Sequence, residues 1–221
     1  MPTRRIGTSE LRNRLSVYFV ADPEQTERDF LEIVDGALAG GVTSLQLRAK
    51  TMSGRAMFDL AVTLRERCRA AGVLFFVNDR IDVAMACHAD GVHVGVKDIP
   101  LHATRALVGR GMLVGYSPVD VAGVRTAQRD GADYVGLGPV FGTASKADAQ
   151  PELGLFALAE QAAATALPSV GIGGIDVANA GSVIRAGVDG VAVISAIQGA
   201  RDATLATRSL ALAVNLAKIV R

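Results

Sequence analysis

Short apolar runs rich in β-branched residues alternate along the chain with longer amphipathic stretches, and glycines punctuate most junctions. Residues 17–20, 43–47, 73–77 and 91–94 read as strands buried on both faces, because their apolar positions are largely consecutive. Residues 112–116, 134–137, 169–172 and 190–194 continue the series. Helical periodicity predicts helices over 24–39, closed by Gly40-Gly41, over 53–71, with Ser53 as N-cap and Gly72 as stop, and over 81–88. It goes on through 101–108, 119–129 (closed by Gly131), 155–165, 177–186 (stopped at Gly187) and 203–219. Eight strands alternating with eight helices, about 28 residues per unit over 221 residues, predict an α/β single-domain (β/α)8 TIM barrel. A doubly wound open sheet is the alternative, and it rarely uses so many even repeats. Residues 1–14 stand outside the period as an N-terminal arm or short leading helix, with four arginines (Arg4, Arg5, Arg12 and Arg14); the barrel domain spans 15–221.

Composition narrows the function classes. Half the residues are hydrophobic, 24 are glycine and none is tryptophan, which fits a compact core with many tight turns. A net charge of +1 gives no broad field for nucleic acid or an anionic membrane. An anionic ligand must therefore be caught by a local cluster. Cys68 and Cys87 fall in helical patterns and suggest reduced thiols in a cytoplasmic protein. The polar start and the short apolar run after it give no secretory signal, and no run approaches a bilayer-spanning length.

In a parallel barrel, ligands bind at the carboxyl ends of the strands. Asp79 and Asp98 fall just past the third and fourth strands. They fit two roles equally: oxygen ligands to one Mg2+, which usually keeps substrate phosphates as further ligands, or helix N-caps. The second strand ends Gln46-Leu47-Arg48-Ala49-Lys50, and alternation turns Gln46, Arg48 and Lys50 into one space. Arginine offers a planar fork for phosphate oxygens and lysine a point charge; surface solvation is the other use of such charges. The long loop 138–154 carries Thr143, Ser145 and Lys146 and is expected to act as a mobile lid. The Gly173-Gly174 turn and Ile194-Ser195 occupy the loops after strands seven and eight, where this fold repeatedly builds a phosphate site. Together these features suit two phosphorylated ligands, one a diphosphate. His88, His93 and His102 show no metal-ligand spacing; His93 either lines the barrel mouth or packs within it.

Several of these segments, in order from Tyr18 to Ile197, resemble the thiamine-phosphate synthase family. They are Gln46 to Lys50, Asn78-Asp79-Arg80, Ala89 to His93, Gly138 to Phe141 with Thr143 to Lys146, Ile172 to Ile175, and Ile194-Ser195. The resemblance implies that hydroxymethylpyrimidine diphosphate is joined to hydroxyethylthiazole phosphate, giving thiamine phosphate and pyrophosphate. By the same resemblance Asp79 and Asp98 would hold Mg2+. Gln46, Arg48, Lys50, Asn78 and Lys146 would hold the pyrimidine diphosphate, with Arg48, Lys50 and Lys146 catalytic and Ser117 near the pyrimidine. Thr143, Ser145, Gly174, Ile194 and Ser195 would hold the thiazole phosphate. The sequence departs from the family's pattern at Val96, at Pro118 to Asp120, at Gly142 and at Ser145, which keeps a hydroxyl. Two other readings stand beside it: a thiazole tautomerase of similar outline, and a barrel that binds phosphorylated ligands without catalysis. The expected partners are small-molecule substrates, without nucleic acid or membrane, and a homo-oligomer stays open.

Overall fold

A computed structural model describes residues 6–143 and 151–220. Eight parallel strands close on themselves: β1 (Val17–Ala21), β2 (Ser44–Leu47), β3 (Leu74–Asn78), β4 (Gly91–Gly95), β5 (Leu113–Ser117), β6 (Tyr134–Leu137), β7 (Ser169–Ile172) and β8 (Gly190–Val193). The ring closes where Tyr18 of β1 lies opposite Ser44 of β2 on one side and Ala192 of β8 on the other. This is the predicted (β/α)8 barrel.

Its strands read as continuous apolar runs because each separates two cores. Phe19, Leu45, Phe75, Val92, Val135 and Val191 face the helical shell. Tyr18, Val20, Leu74, Phe76, Tyr134, Val170 and Ala192 fill the barrel itself, the alternate positions of the same strands. The barrel floor is stopped by α1 (Thr8–Arg14) and the residue after it: Leu11 and Leu15 are buried in the inner cluster.

The shell helices are α2 (Phe30–Gly40), α3 (Gly54–Ala71), α4 (Ile81–Ala86), α5 (Leu101–Val108), α6 (Val121–Asp130), α7 (Gly154–Ala163), α8 (Ala180–Arg185), α9 (Ser195–Gln198) and α10 (Ala203–Ile219). Ser53 caps α3 as expected, its hydroxyl accepting from the Ala56 amide. Two helices start later than the periodicity suggests. The stretch before α2 forms a 3-10 turn (Pro23–Gln25), and the Asp29 carboxylate caps the helix by accepting from Leu31 and Glu32. Before α8, Asp176 and Asn179 close a turn through each other's backbone amides. The helix α9 is an extra element that the strand–helix count does not contain.

A fourfold device holds the amino-terminal rim. Thr43, Asp90, Asp133 and Asp189, each beside the start of an even strand, accept the backbone N–H of Val17, Phe75, Val114 and Ser169 at 3.0, 2.8, 2.8 and 2.9 Å. Each acceptor follows by two residues a left-handed backbone position: Gly41, His88, Gly131 and Gly187, with φ of 98, 55, 110 and 116°. The odd strands begin before their neighbours' ladders do, and a buried N–H needs an acceptor. Asp189 also pairs with Arg12 at 2.6 Å, and Asp133 with Arg105. Among the described residues, no helix is long and apolar enough to cross a membrane.

Candidate active site

The carboxyl ends of the eight strands open into one cleft of about 270 Å³. Gln46, Arg48 and Lys50 reach it from β2, Asn78 and Asp79 from β3, Asp98 from the loop after β4, and Ser117 from β5. Thr143, Gly174, Ile194 and Ser195 line its other side. Every described residue assigned a binding, catalytic or metal role from the sequence is therefore brought to one space. Ser145, Lys146 and the body of the expected lid lie outside the described residues. The loop that carries them is tied at its base, where Leu153 and Gly154 donate backbone N–H groups to Pro139 and Val140 at 2.8 and 3.0 Å.

The β2 cations are held by acids. Arg48 is buried and its guanidinium is paired with the buried Asp22 at the end of β1. The Asp22 carboxylate also accepts from the Gln25 side chain at 2.6 Å and the Glu24 amide at 3.0 Å. Lys50 pairs with Asp79. Its backbone N–H, and that of Thr51, go to the Glu24 carboxylate at 2.9 Å, so the β1 loop clamps the β2 loop.

Neither Asp79 nor Asp98 caps a helix. Arg80 occupies the N-cap of α4 and Pro100 that of α5, both without a side-chain cap bond. Asp98 closes its own loop by accepting the Gly95 N–H at 2.7 Å. Asp79 sits at φ 60°, a left-handed conformation that Asp and Asn enter more readily than most residues. Burial pushes its carboxyl above the ordinary range, the nearby Asp98 carboxyl pushes the same way, and Lys50 offsets part of the rise. Two carboxyl groups thus share a partly buried space, a donor set that suits a hard cation.

On the opposite side, Gly173 and Gly174 have φ of 102 and 61°. A Cβ on Gly174 would lie 2.6 Å from the Gly142 carbonyl oxygen, and one on Gly173 would lie 2.5 Å from the Pro139 ring. These glycines are needed for close packing of the β6 and β7 loops as much as for approach to a ligand. Asn179 fixes the turn by donating to the Gly174 carbonyl at 2.9 Å. The short helix α9 begins at Ser195, and its last residue, Gln198, is bolted to β1. The Gln198 amide accepts from Asp22 N–H at 3.0 Å and donates to Asp22 C=O at 2.8 Å. Asp22 therefore anchors both an arginine on one side of the cleft and a helix on the other.

The sequence reading passed over Asp22, although it is a strand-end carboxylate of the same kind as Asp79. It also left open what proves to be a polar chain through the barrel. The Gln46 amide donates to the Tyr18 hydroxyl at 2.8 Å, which lies 2.7 Å from the Tyr134 hydroxyl. Tyr134 in turn lies 2.9 Å from His93 Nδ1, and His93 Nε2 lies 2.8 Å from Ser117 Oγ. Inward-facing polar residues on five strands were the available signal. Of the residues that depart from the family's pattern, Val96, Pro118 and Val119 line the mouth, where Val96 and Val119 are about half exposed.

Comparison with known proteins agrees with this geometry. Residues 17–197 match the family model described as thiamine monophosphate synthase. The thiamine-phosphate synthase of Roseiflexus castenholzii is 51% identical over 195 residues, covering 88% of this chain and 86% of the relative. That of Laribacter hongkongensis is 52% identical over 197 residues, covering 88% and 93%. The solved structure of thiamine phosphate pyrophosphorylase from Pyrococcus furiosus superposes with a TM-score of 0.87 at 39% identity, covering 94% of this chain and 98% of that one. On the family model and these relatives, the chain belongs to the thiamine-phosphate synthase family, transferases of thiamine biosynthesis.

Proposed function

We infer that this cleft joins hydroxymethylpyrimidine diphosphate to hydroxyethylthiazole phosphate, releasing pyrophosphate. One observation supports the reading: a single cleft is lined by two separate groups of residues suited to anions, one from β2 and β3 and one from the loops after β6, β7 and β8. Gln46, Arg48, Lys50 and Asn78, with Lys146, take the diphosphate, and Ser117 faces the pyrimidine. Thr143, Gly174, Ile194 and Ser195, with Ser145, take the thiazole phosphate, in the place where this fold repeatedly binds phosphate. A thiazole tautomerase needs only the second group, and the curated relatives cited above are synthases.

Asp79 and Asp98 would hold Mg2+, which would neutralise charge on the diphosphate. Their two carboxyl groups fit that ion, because Mg2+ commonly uses one or two carboxylates and completes its shell with water and substrate phosphates. Among the described residues no group of three or more His, Cys, Asp and Glu side chains forms a fuller cage.

The carbon–oxygen bond to the diphosphate breaks with its electron pair leaving on oxygen. The amino group of the pyrimidine feeds electron density to the carbon left behind. Arg48, Lys50 and Lys146 stabilise the leaving anion, the part of the barrier where preorganised charge acts most strongly. The phosphate side holds the thiazole so that its ring nitrogen lone pair forms the new carbon–nitrogen bond. No proton changes place, so no general base is required. The enzyme acts on small molecules, and we assign it to the cytoplasm on its buried, unpaired Cys68 and Cys87. The test is pyrophosphate release. Release that needs both substrates and Mg2+ is the expected outcome; none with both present points to a non-catalytic barrel, and turnover of a thiazole phosphate alone points to a tautomerase.

A further inference from the structure

The polar chain from Gln46 to Ser117 runs through the inside of the barrel, where every proton has to be accounted for. Tyr18 is 1% exposed and Tyr134 fully buried. Burial pushes both phenols above the ordinary tyrosine range, so each hydroxyl carries its one proton. The space around them is purpose-built. A Cβ on Gly115 would stand 2.4 Å from both His93 Nδ1 and the Tyr134 oxygen, and one on Gly136 would stand 3.4 Å from Ser117 Oγ. Glycines on β5 and β6 thus clear room for the rings.

A hydroxyl has one proton to give, so such a chain has only two self-consistent directions. Gln46 donates to the Tyr18 oxygen. If Tyr18 then donates to Tyr134, Tyr134 donates to His93 Nδ1, and the imidazole proton sits on Nε2, aimed at Ser117 Oγ. Every donor along this path has an acceptor. In the opposite direction Tyr134 donates to Tyr18, and with the Gln46 amide nitrogen facing Tyr18 the Tyr18 proton has no acceptor among the described residues; only a turned-over amide would supply one. An unsatisfied buried donor costs about 1–3 kcal/mol, enough to decide the direction.

We propose that Tyr18, Tyr134 and His93 form a one-way hydrogen-bond chain that holds His93 neutral, with its proton on Nε2, and leaves the Ser117 proton free to be donated into the cleft. These three are positioning residues: Tyr18 and His93 also line the cleft, but Gln46 and Ser117, the ends of the chain, present the hydrogen-bonding groups to the ligand. Ser117 then favours a heteroaromatic ring that presents an unprotonated nitrogen, and disfavours the same ring protonated there. This last step rests on the proposed pyrimidine site, whereas the direction of the chain does not.

The experiment uses the full chain with His88→Gln and His102→Gln, which leaves His93 as the only imidazole, and reads its two ring nitrogens by heteronuclear NMR near neutral pH without ligand. The expected result is a neutral ring protonated on Nε2, shifting to a mixture of tautomers when Tyr134→Phe removes the donor to Nδ1, and staying on Nε2 in Tyr18→Phe, where Tyr134 still donates to His93. A ring protonated on Nδ1, a charged ring, or a tautomer indifferent to Tyr134→Phe overturns the proposal. Both substitutions keep the ring volume, and an unchanged backbone amide spectrum checks that each variant is folded; Tyr134→Phe is the decisive one. In steady-state assays Tyr134→Phe should raise KM for the pyrimidine diphosphate roughly tenfold, the scale of one hydrogen bond, and leave KM for the thiazole phosphate unchanged. An equal rise in both would contradict the role at Ser117 while leaving the tautomer result standing on its own.

Discussion

At the residue scale, Asp79 unites three unusual features: a left-handed backbone, a partly buried carboxyl group and a neighbouring carboxyl group. Its folded-state pKa is raised, so its contribution to stability is fully present below the unfolded value of about 4 and is lost as pH rises through the folded one. At neutral pH the ionised group therefore weighs against the metal-free fold. Asp79→Asn keeps the backbone geometry, since Asn also enters the left-handed region. The metal-free variant should melt at or above the wild-type temperature at pH 7, with the difference fading below about pH 4. Turnover should fall roughly a hundredfold or more, as it should for Asp98→Asn, the scale of one strong transition-state contact. Near-normal pyrophosphate release by both Asn variants at limiting Mg2+ would sink the metal assignment. Asp79 and Asp98 were legible as strand-end acids, but their choice between cap and cation site was not. That choice depends on whether the side chain turns back to the next helix, and the neighbouring Arg80 and Pro100 took the cap positions.

At the scale of elements, α9 escaped the sequence reading because four residues are too few to establish a helical period. Its placement depends on a contact 176 residues away in sequence, the paired hydrogen bonds between Gln198 and Asp22. Gln198→Leu keeps the volume but leaves the Asp22 backbone N–H unpaired and the Asp22 C=O with the Gln25 N–H as its remaining donor. We expect KM for the thiazole phosphate to rise several-fold through a displaced Ser195, with a smaller effect on the pyrimidine diphosphate. A change confined to the diphosphate would contradict this role of the tether. The amino-terminal rim makes the opposite prediction. Asp133 accepts from Val114 and Arg105 far from the cleft, so Asp133→Asn should lower stability by about 1–3 kcal/mol, a loss of several degrees in Tm, with kcat/KM unchanged below the transition. The four rim acceptors were hidden in the sequence because Thr43 replaces Asp in one of them and His88 replaces Gly in another, which blurs the repeat.

For the whole molecule, the barrel was legible because the strands are largely buried on both faces and glycine stops follow most of the helices. The grouping of Gln46, Arg48 and Lys50 followed from strand alternation alone. What the sequence left out are the partners that restrain those cations: Asp22 and Glu24 lie on β1 and its loop, close to β2 only after the strands pair. The proposed reaction requires that one cleft hold two anion sites that act together. Isothermal titration of the protein with inorganic pyrophosphate plus Mg2+, then with the thiazole phosphate, tests it directly. Both ligands should bind at once, each with unit stoichiometry. Lys50→Ala should weaken pyrophosphate roughly tenfold or more and spare the thiazole phosphate, and Gly174→Ala should do the reverse. Mutual exclusion of the two ligands, or equal weakening of both by either substitution, would contradict the account.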